Sequence, residues 1–310
     1  MIPTGNFVCD PLRAILDSRE DAVLAVIADV QGPSYRPVGA TMAIVGDAGR
    51  TGSLSSGCVE NDIALHAARV LASGSPEIIR YGQGSPYVDI QLPCGGGLDI
   101  LLLPNPDRQA LADVVANHEQ RRPCTLVIDV VLGTLSVTST GATERDGDRL
   151  AVRFEPDIAF QVFGKGPVAA TFAALVQSAG YPGTLLSQDA ETLDAARATG
   201  FATRQLVAPR YPDDLATDDR TAIVLFFHDH DWDPPILAAA LETPAFYVGA
   251  QGGRRTRATR LQALEEMGVS EQARARLHGP IGLIPSARDA RTLAISVLAE
   301  VLAAAMPDRQ

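Results

Sequence analysis

The chain of 310 residues is poor in lysine, cysteine, histidine and long apolar runs, and each shortage narrows its function. There is one lysine, Lys165, against 25 arginines. With 26 basic and 37 acidic residues the net charge is −11. An acidic surface repels phosphate backbones, so general nucleic-acid binding is not expected. No run reaches the ~18 uninterrupted apolar residues of a membrane helix. The longest candidate, 293–306, carries Ser296 and Glu300 and reads as an amphipathic helix. No membrane partner is expected. Residues 1–5 show no basic stretch ahead of an apolar core, so no secretion signal is read there and the expected location is cytoplasmic. Four cysteines are too few for a disulfide framework, and in a reducing compartment they are free thiols. Of these, Cys124 sits in a strand pattern and is expected in the core, Cys9 lies in the N-terminal lead, and Cys58 and Cys94 adjoin glycine. There is no repeat at 20–50 residues and no low-complexity tract.

What is present is ordinary globular material. Hydrophobic residues are 46% and charged residues 20%, enough for buried cores. The length suggests about two domains. The first half is rich in short β-like runs at 22–30, 41–45, 77–81, 87–91 and 98–103, separated by Gly, Pro and Ser. Helical spacing predicts helices over 58–73 and 107–119. A meander follows at 125–131, 133–137 and 150–154, with Gly133 and Asp146-Gly147 at its turns. The second half alternates: strands at 158–163, 184–186, 222–227 and 245–249, helices at 167–179, 191–199, after Pro234-Pro235, and at 254–267. That alternation predicts a parallel sheet. Pro156 resists a central strand and marks the boundary. The expected fold is α/β: a mixed α+β N-terminal domain over 1–154, then a Rossmann-like, doubly wound parallel-sheet domain over 155–310.

Gly164-Lys165-Gly166-Pro167-Val168-Ala169 follows a strand and opens a helix, the setting of the dinucleotide fingerprint. Its glycines let the backbone approach a phosphate at the helix N-terminus, and Lys165 adds a point charge. An acidic residue closing the next strand would bind ribose. Here that place reads Ser187-Gln188, with Asp189 one residue later and placed to start a helix. The turn therefore reads either as an anion or nucleotide-like site or as glycine placed for packing alone.

Gly57-Cys58-Val59-Glu60 enters a predicted helix. A cysteine in a first turn has its thiolate stabilised by free N–H groups. Glu60 favours the helix and opposes the thiolate. Cys94-Gly95-Gly96-Gly97 can aim backbone N–H groups at one anion. The alternative is a buried small thiol and a flexible turn. His228-Asp229-His230 follows a strand and points at the ligand crevice of a doubly wound sheet. A metal needs three or four ligands, and only His66, His118 and His278 remain, so no metal site is assigned. Arg254 and Arg255 open a helix and are placed to grip an anion. Arg257 and Arg260 read as solvated charges paired with Glu265, Glu266 or nearby acids.

The runs 32–40 (Gly-Pro-Ser-Tyr-Arg-Pro-Val-Gly-Ala), 52–60 (Gly-Ser-Leu-Ser-Ser-Gly-Cys-Val-Glu) and Cys94-Gly95-Gly96 together resemble the first domain of the xanthine dehydrogenase accessory factor family (XdhC/CoxI). The second half is similar to that family's Rossmann-like domain at 164–169, 228–231, 249–255, 279–283 and 294–300. Lys165, Pro167, Ser187-Gln188 and Gly252-Gly253 depart from the family pattern. The resemblance implies a maturation factor that binds molybdenum cofactor (molybdopterin) transiently, takes part in its sulfuration and delivers it to a xanthine-dehydrogenase-type molybdoenzyme. It also implies a cysteine desulfurase as a further partner and a homodimer. A cofactor-binding chaperone, with no catalytic residue of its own, is expected rather than a catalyst. The cofactor-binding set is Gly57, Cys58, Glu60, Cys94, Gly95, Gly96, Gly164, Lys165, Gly166, His228, Asp229, His230, Arg254 and Arg255. Phosphate-type groups in the second domain and thiols in the first predict one site between them. The alternatives are an NAD(P)-dependent oxidoreductase on the same fold and a metal-dependent hydrolase using His228 and His230.

Overall fold

The computed structural model describes residues 8–46, 49–55, 57, 59–85, 95–227 and 231–306. They form two compact units that divide between Pro156 and Asp157.

In the N-terminal unit the order is α1 (Asp10–Asp17), β1 (Ala22–Gln31), β2 (Thr41–Val45), β3 (Gly49–Gly52), α2 (Glu60–Ser73), β4 (Glu77–Gly82), β5 (Gly97–Pro104), α3 (Arg108–Glu119), β6 (Cys124–Asp129), β7 (Leu135–Thr138), β8 (Glu144–Asp146) and β9 (Arg149–Phe154). One antiparallel sheet runs β3-β2-β1-β5-β4 and a second β7-β6-β9-β8. Strand β1 is central, and its pleat explains its unbroken apolar run. Val23, Ala25 and Ile27 pack with Val59, Ile63, Ala67 and Val70 around α2. Leu24, Val26 and Ala28 pack on the other face with Leu12, Ile15, Leu111 and Val114 of α1 and α3, and with Leu126 and Val152 of the second sheet. A strand buried on both faces has no polar face to alternate with. A register shift between Ile27 and Asp29 marks a bulge in the β1–β5 pairing. Cys124 is buried, as its strand pattern predicts, and so is Cys9, which precedes α1. The predicted strand at 87–91 lies outside the described residues.

The C-terminal unit contains β10 (Ala159–Gly164), α4 (Pro167–Ser178), β11 (Gly183–Ser187), α5 (Ala190–Arg197), β12 (Ala202–Gln205), β13 (Thr221–Phe226), α6 (Asp233–Ala240), β14 (Tyr247–Ala250), α7 (Arg254–Glu266), α8 (Glu271–Ala275), β15 (Leu277–His278) and α9 (Ala290–Ala305). All pairings are parallel, in the order β12-β11-β10-β13-β14-β15. This is the doubly wound arrangement, whose strand order reverses between β10 and β13 and opens a crevice at the strands' C-terminal ends. Phe160, Val162, Leu185, Val224 and Phe226 face Phe172, Ala173 and Val297 of α4 and α9. Phe163, Leu186, Leu225 and Val248 face Ile236, Leu237 and Leu264 of α6 and α7.

The polar residues of α9 do not mark its outer side. Ser296 is buried and its Oγ accepts from the Ile284 N–H at 2.6 Å. Glu300 accepts from the Tyr247 hydroxyl at 2.7 Å and from the Gly282 N–H. These bonds tie residues 281–284 to α9. Burial and the adjacent Glu300 carboxylate both push the Tyr247 phenol up, so it stays a donor.

Candidate functional site

Gly164 ends β10 at the point where the strand order reverses. A Cβ there would lie 2.9 Å from Phe226 Cβ and 3.0 Å from its carbonyl carbon, so only glycine lets β10 and β13 approach this closely. Gly166, the cap of α4, has φ 85° and ψ −170°, with open space where a Cβ would stand. That conformation itself requires glycine. Its N–H donates to Thr192 Oγ1 at 2.7 Å. Pro167 has no N–H, so the first turn of α4 offers Val168 and Ala169 as donors without an intrahelical acceptor. Lys165 is exposed beside them.

Asp189 caps α5 instead of standing open for a ribose. Its Oδ2 accepts from the Thr192 N–H at 2.9 Å and from Thr192 Oγ1 at 2.5 Å. Those two bonds, with the Lys165 charge nearby, hold its carboxyl below the ordinary range. The chain Asp189–Thr192–Gly166 thus fixes the glycine turn to α5. Sequence reasoning passed over two further residues. Gln188 follows β11 and Gln251 follows β14, and the amide oxygen of each is buried without a hydrogen-bond partner. The two strands are three spacings apart, roughly 14 Å at the usual inter-strand distance. The glycine turn lies in line between them. A buried acceptor lacking a donor is a site where a ligand N–H or O–H gains most.

At the start of α7, Arg254 and Arg255 are exposed and make no ion pair with any described residue. The expectation for Arg257 and Arg260 is overturned. Arg260 is 3% exposed and pairs with Asp233 of α6, while donating to the Gln251 carbonyl at 2.9 Å. Arg257 is half-buried, and its Nε is cut off from solvent with no acceptor. Glu265 pairs with Arg274 at 3.1 Å and Glu266 accepts from Gln262 at 3.0 Å. The acids expected to pair lay on the same helix, and the packing of α7 on α6 supplied Asp233 instead.

In the N-terminal unit α2 begins at Glu60 with Val59 as its cap. Glu60 is 7% exposed and organises the preceding loop. Its Oε1 accepts from Ser53 Oγ at 2.8 Å, the Leu54 N–H at 3.1 Å and the Ser55 N–H at 2.8 Å. Its Oε2 accepts from Ser55 Oγ at 2.7 Å and the Val59 N–H at 3.2 Å. Burial raises its pKa, but the bonds from Ser55 and Ser53 outweigh this and lower it to about 2. Gly57 is exposed with φ 103° and open space around it. Gly95 is likewise open, at φ 72°. Gly96 is packed: a Cβ would lie 2.1 Å from the Pro33 carbonyl oxygen and 2.8 Å from that of Gln31. Gly97 is closed by Arg80 and Gln83. Of these three glycines Gly95 alone leaves open space, among the described residues, where a Cβ would stand. Cys58, Cys94, His228, Asp229 and His230 lie outside the described residues. Among the described residues no group of three His, Cys, Asp or Glu is placed to hold a metal, and no helix is long and apolar enough to cross a membrane.

The geometry agrees with what the chain resembles. Residues 160–301 match the XdhC Rossmann domain and residues 15–82 the XdhC and CoxI family. The chain is 36% identical over 307 residues to the molybdenum cofactor insertion chaperone PaoD of Escherichia coli (strain K12), covering 96% of this chain and 90% of that protein. It is 23% identical to a probable xanthine dehydrogenase subunit of Bacillus subtilis (strain 168), covering 96% and 97% of the two chains. The crystal structure of a xanthine dehydrogenase from Bacillus halodurans superposes with a TM-score of 0.81 at 19% identity, over 97% of this chain and 96% of that one, and shows the same fold. The chain belongs to the XdhC and CoxI family.

Proposed function

We propose that the protein is a maturation factor that binds molybdenum cofactor as cargo and delivers it to a xanthine-dehydrogenase-type molybdoenzyme. The observation that carries this reading is the 36% identity, across 96% of the chain, to a molybdenum cofactor insertion chaperone. The chemistry of the strand-end crevice supports it. Molybdenum cofactor carries a phosphate. Its phosphate suits the α4 N-terminus at Gly164, Lys165 and Gly166, and the unpaired Arg254 and Arg255. Cys58 and Cys94 are the thiols proposed to meet molybdenum or sulfur, with Gly57 and Gly95 giving open backbone beside them. His228, Asp229 and His230 complete the proposed set after β13. Glu60 holds the loop that carries Gly57 and Cys58 rather than touching cargo. Participation in sulfuration, with a cysteine desulfurase as donor, belongs to this proposal. So do the homodimer and the cytoplasmic location.

Ordinary NAD(P) redox chemistry is disfavoured because Asp189, the nearest acid to the ribose position, is committed to Thr192. The test is expression in a host that makes molybdenum cofactor, followed by pterin and molybdenum assay of the purified protein. Bound pterin is expected, together with raised client activity on co-expression. Protein free of pterin and without effect on the client overturns the reading. A fluorescence titration with NADH or NADPH is expected to be flat.

A further inference from the structure

The N-terminal unit has a small cleft, about 40 Å³, bounded by Val8, Pro11, Arg36, Gly39, Thr41 and Ser53. It has room for one compact group, not for a whole cofactor. Its wall is set by close packing: a Cβ on Gly52 would lie 2.6 Å from the Thr41 carbonyl oxygen and 2.9 Å from Pro11 Cγ. The Ser53 hydroxyl is engaged, donating to Glu60 at 2.8 Å.

Among the described residues, Arg36 is the one basic side chain lining the cleft. It is half-buried, its Nε is shut off from solvent without an acceptor, and its side chain makes no hydrogen bond or ion pair with any described residue. Two other arginines of this unit are satisfied. Arg80 donates to the Gln83 carbonyl, Asp99 and Gln31, and Arg108 donates to the carbonyls of Ile15, Leu16 and Ser18. In a chain with more acids than bases, an arginine left without an acceptor inside a concavity is an open anion receptor. Its fork of N–H donors fits the oxygens of an oxyanion, and partial desolvation strengthens the attraction.

We propose that Arg36 makes this cleft a binding site for one compact tetrahedral oxyanion of the phosphate, sulfate or molybdate class. A tetrahedral dianion brings twice the charge of a carboxylate, so the Nη donors of the guanidinium hold it more strongly. Glu60 lies behind Ser53, and its carboxylate is saturated by donors of its own loop, which limits its opposition to an incoming anion. The site is built from residues of the N-terminal unit alone and stands whether or not the protein carries a pterin.

The test is titration calorimetry and thermal unfolding of the full chain with sodium phosphate, sulfate, molybdate or acetate at constant ionic strength. Arg36→Ala should lose one oxyanion site per chain, with at least a tenfold weaker response, and Arg36→Lys should fall between. In chloride alone Arg36→Ala should be as stable as the parent or more so, because an unsatisfied guanidinium has been removed. The oxyanion that binds most tightly identifies the source of the ligand. Three results overturn the inference: the parent shows no oxyanion-specific response, acetate matches phosphate, or the variant responds like the parent. An Arg36→Ala protein that is destabilised or unfolded in chloride also overturns it, since a structural arginine behaves that way.

Discussion

Two buried charges have roles that their neighbours in sequence do not announce. Glu60 gathers donors from Ser53, Leu54, Ser55 and Val59, and its folded pKa of about 2 lies below its ordinary value of 4.5. A depressed carboxylate stabilises the fold above the unfolded pKa and loses that contribution as pH falls through the folded one. Glu60→Gln should therefore cost on the order of 3 kcal/mol at pH 7, and the gap should close as pH drops from about 4.5 towards 2. Urea midpoints of both proteins at pH 7, 4 and 2.5 check this, and a gap that ignores pH would show that packing, not charge, sets the loop. Arg260 and Asp233 form the second case, at 3% and 4% side-chain exposure. Arg260→Ala removes the buried partner of the Asp233 carboxylate and releases the Gln251 carbonyl, so a loss of about 3–5 kcal/mol is expected in chemical denaturation. Arg254→Ala should leave stability within about 0.5 kcal/mol, because that side chain is exposed. It should weaken cofactor retention by about 1.5–3 kcal/mol if it makes a charge-assisted contact.

At the scale of the element, the turn from β10 to α4 separates two reasons for glycine. Gly164 is held by steric approach to Phe226, whereas Gly166 is held by its backbone angles alone. Gly164→Ala should force β10 and β13 apart and lower thermal stability by about 1–3 kcal/mol, as overpacking does. Gly166→Ala should cost about 1–3 kcal/mol in backbone strain while keeping the sheet intact, because φ 85° with ψ −170° is a region that only glycine occupies readily. Comparing melting temperatures with far-ultraviolet circular dichroism distinguishes them. A Gly164→Ala protein with unchanged melting temperature and circular dichroism would mean that the approach to Phe226 is not the constraint. Gly166→Ala also disturbs the N–H bond to Thr192, so cofactor retention should fall more than its stability loss alone implies.

For the whole molecule, the four apolar clusters do not mix across Pro156. Two draw only on residues 9–154 and two only on residues 158–301. Each unit thus holds a core on both faces of its own sheet, the condition for folding alone. Residues 6–156 and 157–310, produced as separate chains, are each expected to unfold cooperatively with native-like circular dichroism. A molten or aggregated N-terminal fragment would show that this unit draws stability from outside its own clusters.

Much of the architecture is written in short stretches of sequence. The alternation of apolar runs with helices bounded by Gly and Pro announced the parallel sheet of the C-terminal unit. The strand-turn-helix setting of Gly164–Ala169 located the crevice. These signals survive because strand and helix periods depend on residues only a few positions apart. Elements without apolar contrast escaped: β3 reads Gly-Arg-Thr-Gly and β12 reads Ala-Thr-Arg-Gln. Two helices also escaped, α1 of eight residues in the N-terminal lead and α8 of five, about one turn and a half. The state of each charged or polar side chain was decided only by tertiary contact. Arg260 looked like its solvated neighbours on α7 until Asp233, 27 residues away, removed it from water. Gly96 looked like Gly95 until the carbonyls of Gln31 and Pro33 closed over it. Arg36 stood in the sequence only as one residue of the 32–40 run, and packing took the solvent from its Nε and put no acceptor in its place. Desolvation and hydrogen-bond partnership are set by groups that meet only when distant segments pack, and that information is absent from any local window of the chain.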